Sequence, residues 1–364
     1  MKGLVYHTNP YIYLFDHVAP FSYMMDFPLL YTQEHLSKPL SKYYPEVPFL
    51  YIPAEQVNYQ KLALEYEVFV QTFFWKENLF SYFASCAKKP ATFCYLSHGS
   101  SDKGYLESRV MGGLELQEVA FFSGEQSKDR LIKQNLYHKI KCPIFMGNVR
   151  KRYYQKFAAY LDELAQIEVF SQLKKKNTTL FYAPTWNDIE QSTSFFSLTE
   201  KLLYQLPKHW NLIIKPHPLL EEENPALYYH FLWKAQNQEN VLLLQDFPLI
   251  YPILNKCDAY LGDFSSIGYD ALTFQKPLFF YDLFHRKLSD PCRTLHQCGI
   301  SLKESDLKNL YGFLENHINN YPKELFQKQK EMDHYTFGVN EPMKTTRSRI
   351  LKLLKKENSS LKVV

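Results

Sequence analysis

Short apolar runs alternate with stretches of mixed polar and apolar residues along the whole chain, the β-α-β rhythm of parallel sheets. In the first half the pattern predicts strands at Gly3–His7, Pro28–Tyr31, Pro48–Ile52, Val68–Thr72, Thr92–Leu96, Val119–Ser123 and Pro143–Met146. In the second half it predicts Thr179–Ala183, Asn211–Ile214, Val241–Gln245, Ala259–Gly262 and Pro277–Tyr281. Between the halves, Lys151–Lys176 reads as a helix with Leu161, Leu164, Ile167 and Phe170 roughly on one face, and the domain joint is placed there. From Glu304 onward the pattern is helical. The piece Thr345–Lys356 sets Ile350, Leu351, Leu353 and Leu354 beside Arg347, Arg349, Lys352, Lys355 and Lys356. Such a basic amphipathic helix either packs its apolar side on the protein or rests on a membrane surface.

At 364 residues the chain is long enough for two domains. The expected boundaries are an N-terminal domain over 1–165, a C-terminal domain over 166–340, and a basic helix and tail over 341–364. The formal charge of +4 does not call for nucleic acid and is compatible with an anionic substrate or a membrane surface. The abundant Tyr and Phe are read as core and general surface rather than as a dedicated stacking site. Cys86, Cys94, Cys142, Cys257, Cys292 and Cys298 form no Cys-x-x-Cys pair, which points to reduced thiols in a cytosolic protein, without disulfides or zinc. His7, Asn9 and Asp16 interrupt the first apolar run too early for a signal peptide, and no run reaches the ~18 apolar residues of a membrane span.

Four segments follow predicted strands, where parallel α/β sheets place their ligand sites. In Ser97-His98-Gly99-Ser100-Ser101-Asp102-Lys103-Gly104, His98 can act as a general base near neutral pH, Gly99 permits a sharp turn, and Lys103 adds positive charge. In Ala183-Pro184-Thr185-Trp186-Asn187-Asp188, Pro184 ends a strand and Thr185 offers a hydroxyl. In Lys215-Pro216-His217-Pro218, two prolines stiffen the backbone around a His beside a cation, which suits anion binding. In Asp263-Phe264-Ser265-Ser266-Ile267-Gly268-Tyr269-Asp270, a strand runs through a Ser-Ser turn into a helix whose first N–H groups can hold a phosphate. Each segment alone has an ordinary structural reading: a loop His, a strand end, a stiff turn, a Ser N-cap. Asp16-His17, after the first strand, is a further candidate for the same cleft. No metal motif is present, so neither metal nor cofactor is expected.

In this order and spacing the segments resemble the CDP-glycerol glycerophosphotransferases, the teichoic acid primases and polymerases. The resemblance rests on His98-Gly99 with Lys103, Pro184-Thr185-Trp186, His217-Pro218, and Asp263-Phe264-Ser265-Ser266 with Tyr269-Asp270. Ser123-Gly124-Glu125 and Gly147-Asn148-Val149-Arg150 echo two further family motifs, and the likeness runs from about Thr92 to Leu354. Three positions depart from the pattern: Ser97 replaces an aromatic residue, Asn187 replaces an Arg, and the Pro before Arg150 is missing.

The resemblance implies an α/β protein of the GT-B type, with two Rossmann-like domains facing a central cleft and helices at the C-terminus. It also implies transfer of glycerol phosphate, or a similar alcohol phosphate, from a CDP-linked donor to a polyol-phosphate or glycolipid hydroxyl, with release of CMP. His98 would be the base and His217 a second catalytic group. Thr185, Ser265, Ser266 and Lys103 would hold donor phosphate, with Asp263, Asp270, Gly99 and Arg150 in support. The expected setting is the cytoplasm, with Arg347–Lys356 as a candidate contact to the inner membrane face. Two alternatives stay open: a GT-B glycosyltransferase using a sugar nucleotide, and a non-catalytic nucleotide-binding relative, which the replacement by Asn187 favours.

Overall fold

The structure is a computed structural model that describes residues 1–74, 81–82, 85–86, 91–102, 113–114, 117–188, 191–287, 289, 293–338 and 340–360. It divides into two compact units. The first comprises Met1–Gly99, Glu107–Phe157 and Tyr335–Val364, and the second comprises Ser100–Leu106 and Ala158–His334. The division falls inside the helix Val149–Glu168, next to Phe157, whose backbone (φ −108°, ψ 17°) leaves the helical region.

The first unit is built on seven strands: β1 (Gly3–Tyr6), β2 (Leu29–Tyr31), β3 (Phe49–Tyr51), β4 (Val68–Gln71), β5 (Thr92–Leu96), β6 (Val119–Phe122) and β7 (Cys142–Phe145). They pair in the order β3-β2-β1-β4-β5-β6-β7, every pair parallel. The second unit has β8 (Thr178–Ala183), β9 (Trp210–Ile214), β10 (Val241–Leu243), β11 (Ala259–Gly262), β12 (Leu278–Tyr281) and β13 (Ile300–Leu302). Their order is β10-β9-β8-β11-β12-β13, again all parallel. Both are doubly wound α/β sheets in which the strand order reverses next to the first strand, and ligands bind outside the carboxyl ends of the strands at such a reversal.

All twelve strands expected from the apolar runs are present with ends shifted by at most two residues. Only β13 lacks a counterpart: it is a three-residue edge strand whose first two residues are half-buried, so no apolar run marks it. Past Phe157 the helix Val149–Glu168 buries Leu161 and Ala165, continued by Val169, while Ile167 is 60% exposed. Steps of four stay near one face at 3.6 residues per turn, but a step of six from Leu161 carries Ile167 well around the helix. The last helix, Met343–Ser360, buries Thr346, Ile350 and Leu354 in the first unit. There Arg347 pairs with Asp26 and Arg349 with Glu341, while Lys352, Lys355 and Lys356 remain exposed. Cys86, Cys94, Cys142, Cys257 and Cys298 are free thiols, and Cys292 lies outside the described residues. No helix among the described residues is long and apolar enough to cross a membrane.

The core of the second unit packs Trp210 edge-on against Tyr311 at 5.1 Å between ring centroids, within a cluster that includes Leu180, Leu198, Leu212 and Phe279. Where β11 ends, a Cβ on Gly262 would lie 2.2 Å from the hydroxyl of Tyr260, a ring with no room to move at 1% exposure. Gly262→Ala is therefore expected to destabilise the second unit by about 1–3 kcal/mol through overpacking. A lowered unfolding midpoint in a thermal melt checks this, and an unchanged midpoint would show that Tyr260 can relocate.

Candidate functional site

At the reversal of the second sheet, β8 and β11 lie side by side, with Ala183 paired to Gly262. The chain leaving β11 begins with Asp263, whose carboxylate is completely buried. It accepts the Thr185 backbone N–H (2.9 and 3.2 Å to its two oxygens), the Ser265 N–H (3.1 Å), and both the N–H and the hydroxyl of Ser194 (2.8 Å each). A carboxylate saturated by donors is stable in a dry site, and each such charge-assisted bond is shorter and stronger than a neutral one. Asp263 thereby joins three segments: the turn after β8, the start of the helix Phe195–Tyr204, and the Ser-Ser turn itself. Thr193 adds a bond from its hydroxyl to the Thr185 carbonyl (2.7 Å).

The turn rests on a second set of groups from beyond β12. His296 is fully buried, stacked on Phe280 (4.7 Å, 12°) and against Phe264 (4.7 Å). Its Nδ1 accepts from Arg293 Nε (3.0 Å), so its Nε2–H donates to the Asp263 carbonyl (3.0 Å). Burial pushes the His296 pKa down to about 3, so the ring is neutral. Arg286 places its guanidinium 4.1 Å from the centre of the Phe264 ring and forks onto Asp282 (3.2 Å to each oxygen). Burial works to raise the Asp282 pKa, but the bonds and charge of Arg286 outweigh it and the net shift is downward. Arg293 also lies 3.6 Å from Asp282. Two guanidiniums thus share the Asp282 carboxylate, and the Arg286 charge is the one set against the Phe264 ring in a turn that also holds the buried Asp263 carboxylate.

This charge matters because the helix after the turn, Ile267–Ala271, has only five residues. The macrodipole grows with aligned peptides, so so short a helix contributes little of the attraction expected from its N-terminus. Ser266 occupies the N-cap position but makes no capping bond, whereas the Ser265 hydroxyl accepts weakly from Ile267 N–H (3.4 Å). The cap reading therefore fits Ser265 better than Ser266, whose side chain is half-exposed.

His217 follows β9, with its Nδ1 accepting from Leu219 N–H (3.2 Å) and its ring 6.3 Å from that of Trp186. Its Nε2 is left to carry a proton. Lys215 turns away to donate to the Phe247 carbonyl (2.9 Å). The Asn187 backbone donates to Glu223 (2.9 Å). Asp270 is buried and accepts from the Tyr251 hydroxyl (3.0 Å), while Tyr269 donates to the buried Asp102 (2.6 Å), which also accepts Leu295 N–H (2.9 Å). Asp263 and Asp270 thus hold neighbouring groups of the second unit.

In the first unit, the reversal lies between β2-β1 and β4, and a group of histidines collects at the carboxyl ends of β1, β4 and β5. His7 follows β1; it is 1% exposed, edge-on to Phe15 at 4.6 Å, and neither ring nitrogen has a hydrogen-bond partner among the described residues. His98 follows β5, with its ring 6.1 Å from that of His17, and Gly99 takes the left-handed backbone (φ 86°) anticipated for the turn. Burial lowers the His7 pKa to about 4, with a smaller contribution from the charge of His98. The His98 ring is itself exposed. The protein mass around it nevertheless lowers its pKa, a shift opposed by a hydrogen bond to the Thr72 backbone. Arg150 and Asp16 form an ion pair in the same unit (Nε to Oδ2, 3.1 Å). Lys103 lies outside the described residues. Among the described residues no group of three or more His, Cys, Asp or Glu could hold a metal ion.

The structure thus brings Thr185, Ser265, Asp263 and, through Trp186, His217 into one unit, and groups His98, His17 and His7 in the other. Ser194, Arg286, Arg293, His296 and His7 were not singled out from the sequence. Only the Asp282/Arg286 spacing after a strand could have signalled any of them.

Residues 154–285 match the family described as CDP-Glycerol:Poly(glycerophosphate) glycerophosphotransferase. That segment belongs to the CDP-glycerol glycerophosphotransferase family. Thr185, His217, Ser265 and Ser266 fall inside the glycerophosphotransferase segment; His98 and Arg286 fall outside it. No curated protein matches the chain. Among solved structures, the wall teichoic acid polymerase TagF superposes with a TM-score of 0.64 at 13% identity, covering 99% of this chain and 90% of that one. An S. aureus MnaA–UDP structure gives 0.62 at 12% identity, covering 100% and 98%. The UDP-GlcNAc 2-epimerase of Neisseria meningitidis gives 0.58 at 16%, covering 98% and 100%. These likenesses establish the fold as the GT-B type, two Rossmann-like domains.

Asp263→Asn keeps the shape but turns an amide NH2 toward groups that are all donors. A loss of about 2–4 kcal/mol is expected, together with loosening of the Thr185 turn; unchanged denaturant unfolding would contradict the hub role. For His7 the folded pKa of about 4 lies below the ordinary imidazole value of about 6.5. Between those values the unfolded chain binds more protons, so stability falls as pH falls through the window, by up to roughly 3 kcal/mol. The thermal midpoint of His7→Phe, which keeps the ring but cannot titrate, is expected to depend less on pH between 6.5 and 4.

Proposed function

We propose that the chain transfers glycerol phosphate, or a similar alcohol phosphate, from a CDP-linked donor to an acceptor hydroxyl. The acceptor oxygen attacks the alcohol-bearing phosphorus, the bond to the CMP oxygen breaks, and CMP leaves with the electron pair. The proton of the acceptor hydroxyl passes to His98, whose lowered pKa keeps it neutral and ready to accept near pH 7. The observation that carries this reading is the convergence, inside the family segment, of Thr185, Ser194 and Ser265 on one buried carboxylate at the sheet reversal, in the turn that also carries Ser266. Phosphoryl transfer depends chiefly on positioning and positive charge. The hydroxyls of Thr185, Ser265 and Ser266 and the Nε2–H of His217 would meet the diphosphate. Arg286 would supply the charge that the family's Arg, here Asn187, does not. The TagF structures include one soaked with CDPG, which agrees in donor class.

Asp263, Asp270 and Gly99 hold neighbouring groups, Lys103 remains a candidate phosphate ligand, and Arg150 orders the first unit through Asp16. The acceptor is proposed to be a polyol phosphate or glycolipid. Lys352, Lys355 and Lys356 would meet anionic headgroups at a cytoplasmic membrane face. A glycosyltransferase or epimerase chemistry on a sugar nucleotide is the competing reading, favoured by the UDP-bound neighbour.

Incubation with CDP-glycerol and a glycerol phosphate acceptor is expected to release CMP. His98→Ala should lower turnover ~10²–10⁴-fold and remove the acid limb of the pH–rate profile, a limb that lies below about 6.5. Arg286→Ala should lower turnover ~10²–10³-fold if its charge acts in the transition state. Release of a nucleoside diphosphate from a UDP-sugar, with no CMP from CDP-glycerol, would instead establish the competing reading.

A further inference from the structure

At the edge of the second sheet opposite Asp263, the amino-terminal ends of β8 and β9 open onto a cavity of about 780 Å³. The reaction proposed above makes no use of it. Lys174, Lys175, Lys176 and Lys256 line it, with Asp258 as the one carboxylate, so its walls carry a net charge of +3. The helices Val149–Glu168 and Tyr251–Lys256 end at its rim, and their carbonyl ends bring at most about one negative charge between them. The lysines therefore exceed what the helix ends require. Lys174 also pairs with Glu239 (3.1 Å), a residue outside the cavity and 86% exposed, so that pair is worth little in water. Lys256 donates to Gln166 (2.9 Å), and Lys175 and Lys176 are exposed with no ion pair among the described residues.

A second observation comes from Asn211, which is 1% exposed. Its amide donates to the Lys174 carbonyl (2.9 Å) and to Thr179 Oγ1 (3.2 Å), but its Oδ1 has no partner among the described residues. A buried acceptor left unpaired costs about 1–3 kcal/mol. Asn211 is among the residues that line this polar cavity, and its amide oxygen calls for a hydroxyl or amide donor. The site therefore suits a ligand that alternates anionic groups with hydroxyls, and its volume is that of an ordinary ligand pocket.

We propose that this cavity binds a stretch of phosphodiester-linked polyol chain, with Lys175 and Lys176 on the phosphates and Asn211 on a hydroxyl. The choice of ligand rests on the reaction proposed above, whose acceptor and product are of this class. A chain tethered there stays at high effective concentration for the next transfer, so the site would favour repeated additions to one chain.

The test uses the full chain and a Lys175→Glu/Lys176→Glu variant, two exposed positions outside the donor site. Calorimetric titration with an oligomer of phosphodiester-linked glycerol is expected to show binding at low salt that weakens at least tenfold in the variant. CMP release with a monomeric acceptor should stay unchanged. Equal affinity of both proteins for the oligomer, or no binding to either, overturns the proposal. So does binding to phosphatidylglycerol vesicles that is lost in the variant while the oligomer does not bind, because the site would then recognise a membrane. Inorganic phosphate that competes as well as the oligomer would reduce the cavity to a simple anion site and also overturn it. Lysine-dependent oligomer binding by a protein that releases no CMP supports the cavity's role and sinks only the proposed reaction.

Discussion

The buried carboxylate of Asp263 is the constraint on which the second unit's site depends. A charge with no exposure survives only if donors surround it, and the donors here come from Thr185, Ser194 and Ser265. Satisfying one charge therefore fixes the relative positions of three segments far apart in sequence. The turn between β11 and the following helix is held by this need rather than by its own short helix, and its carbonyl is held from the other side by His296.

Charge at that turn comes from side chains. Arg286 and Arg293 share Asp282, and Arg286 sets its positive charge against the Phe264 ring. Stacking on an aromatic face and a fork onto a carboxylate hold Arg286 in one orientation, which a Lys could not match. The family segment ends next to this residue, at 285, and Asn187, where the resemblance leads one to expect an Arg, falls within it. A positive group delivered from a different loop can serve the same space, since electrostatics depends on where a charge sits and not on which strand carries it. The first unit solves a different problem: His7, His17 and His98 gather at its own strand reversal, where burial and mutual repulsion favour neutral rings.

Much of the architecture was legible because a parallel strand buried on both faces must be written as an unbroken apolar run. Thr92–Leu96 and Ala259–Gly262 were read with the bounds they have. The half-buried β13 carried no such run, and the stripe through Ile167 failed because spacing by six does not keep a helical face. The candidate site was legible as strand-end motifs: Thr185, His217, Ser265, Ser266 and His98 each follow a strand. Their supports were not. Ser194 and His296 lie in segments with no distinctive pattern, and nothing local marks them as partners of Asp263.

The sequence by itself determined where each strand lies and which chemically capable residues follow it, because burial and backbone bonding act over a few neighbouring residues. Tertiary structure alone decided which of those residues work together. It showed Asp263 as a hub, Ser265 rather than Ser266 as the one engaged with the helix start, and Arg286 as the charge beside the turn. It also gathered Asn211 and the lysines around one cavity at the opposite edge of the same sheet. Hydrogen bonds and charges act through space at about 3–4 Å, and only the folded chain brings residues tens of positions apart within that reach.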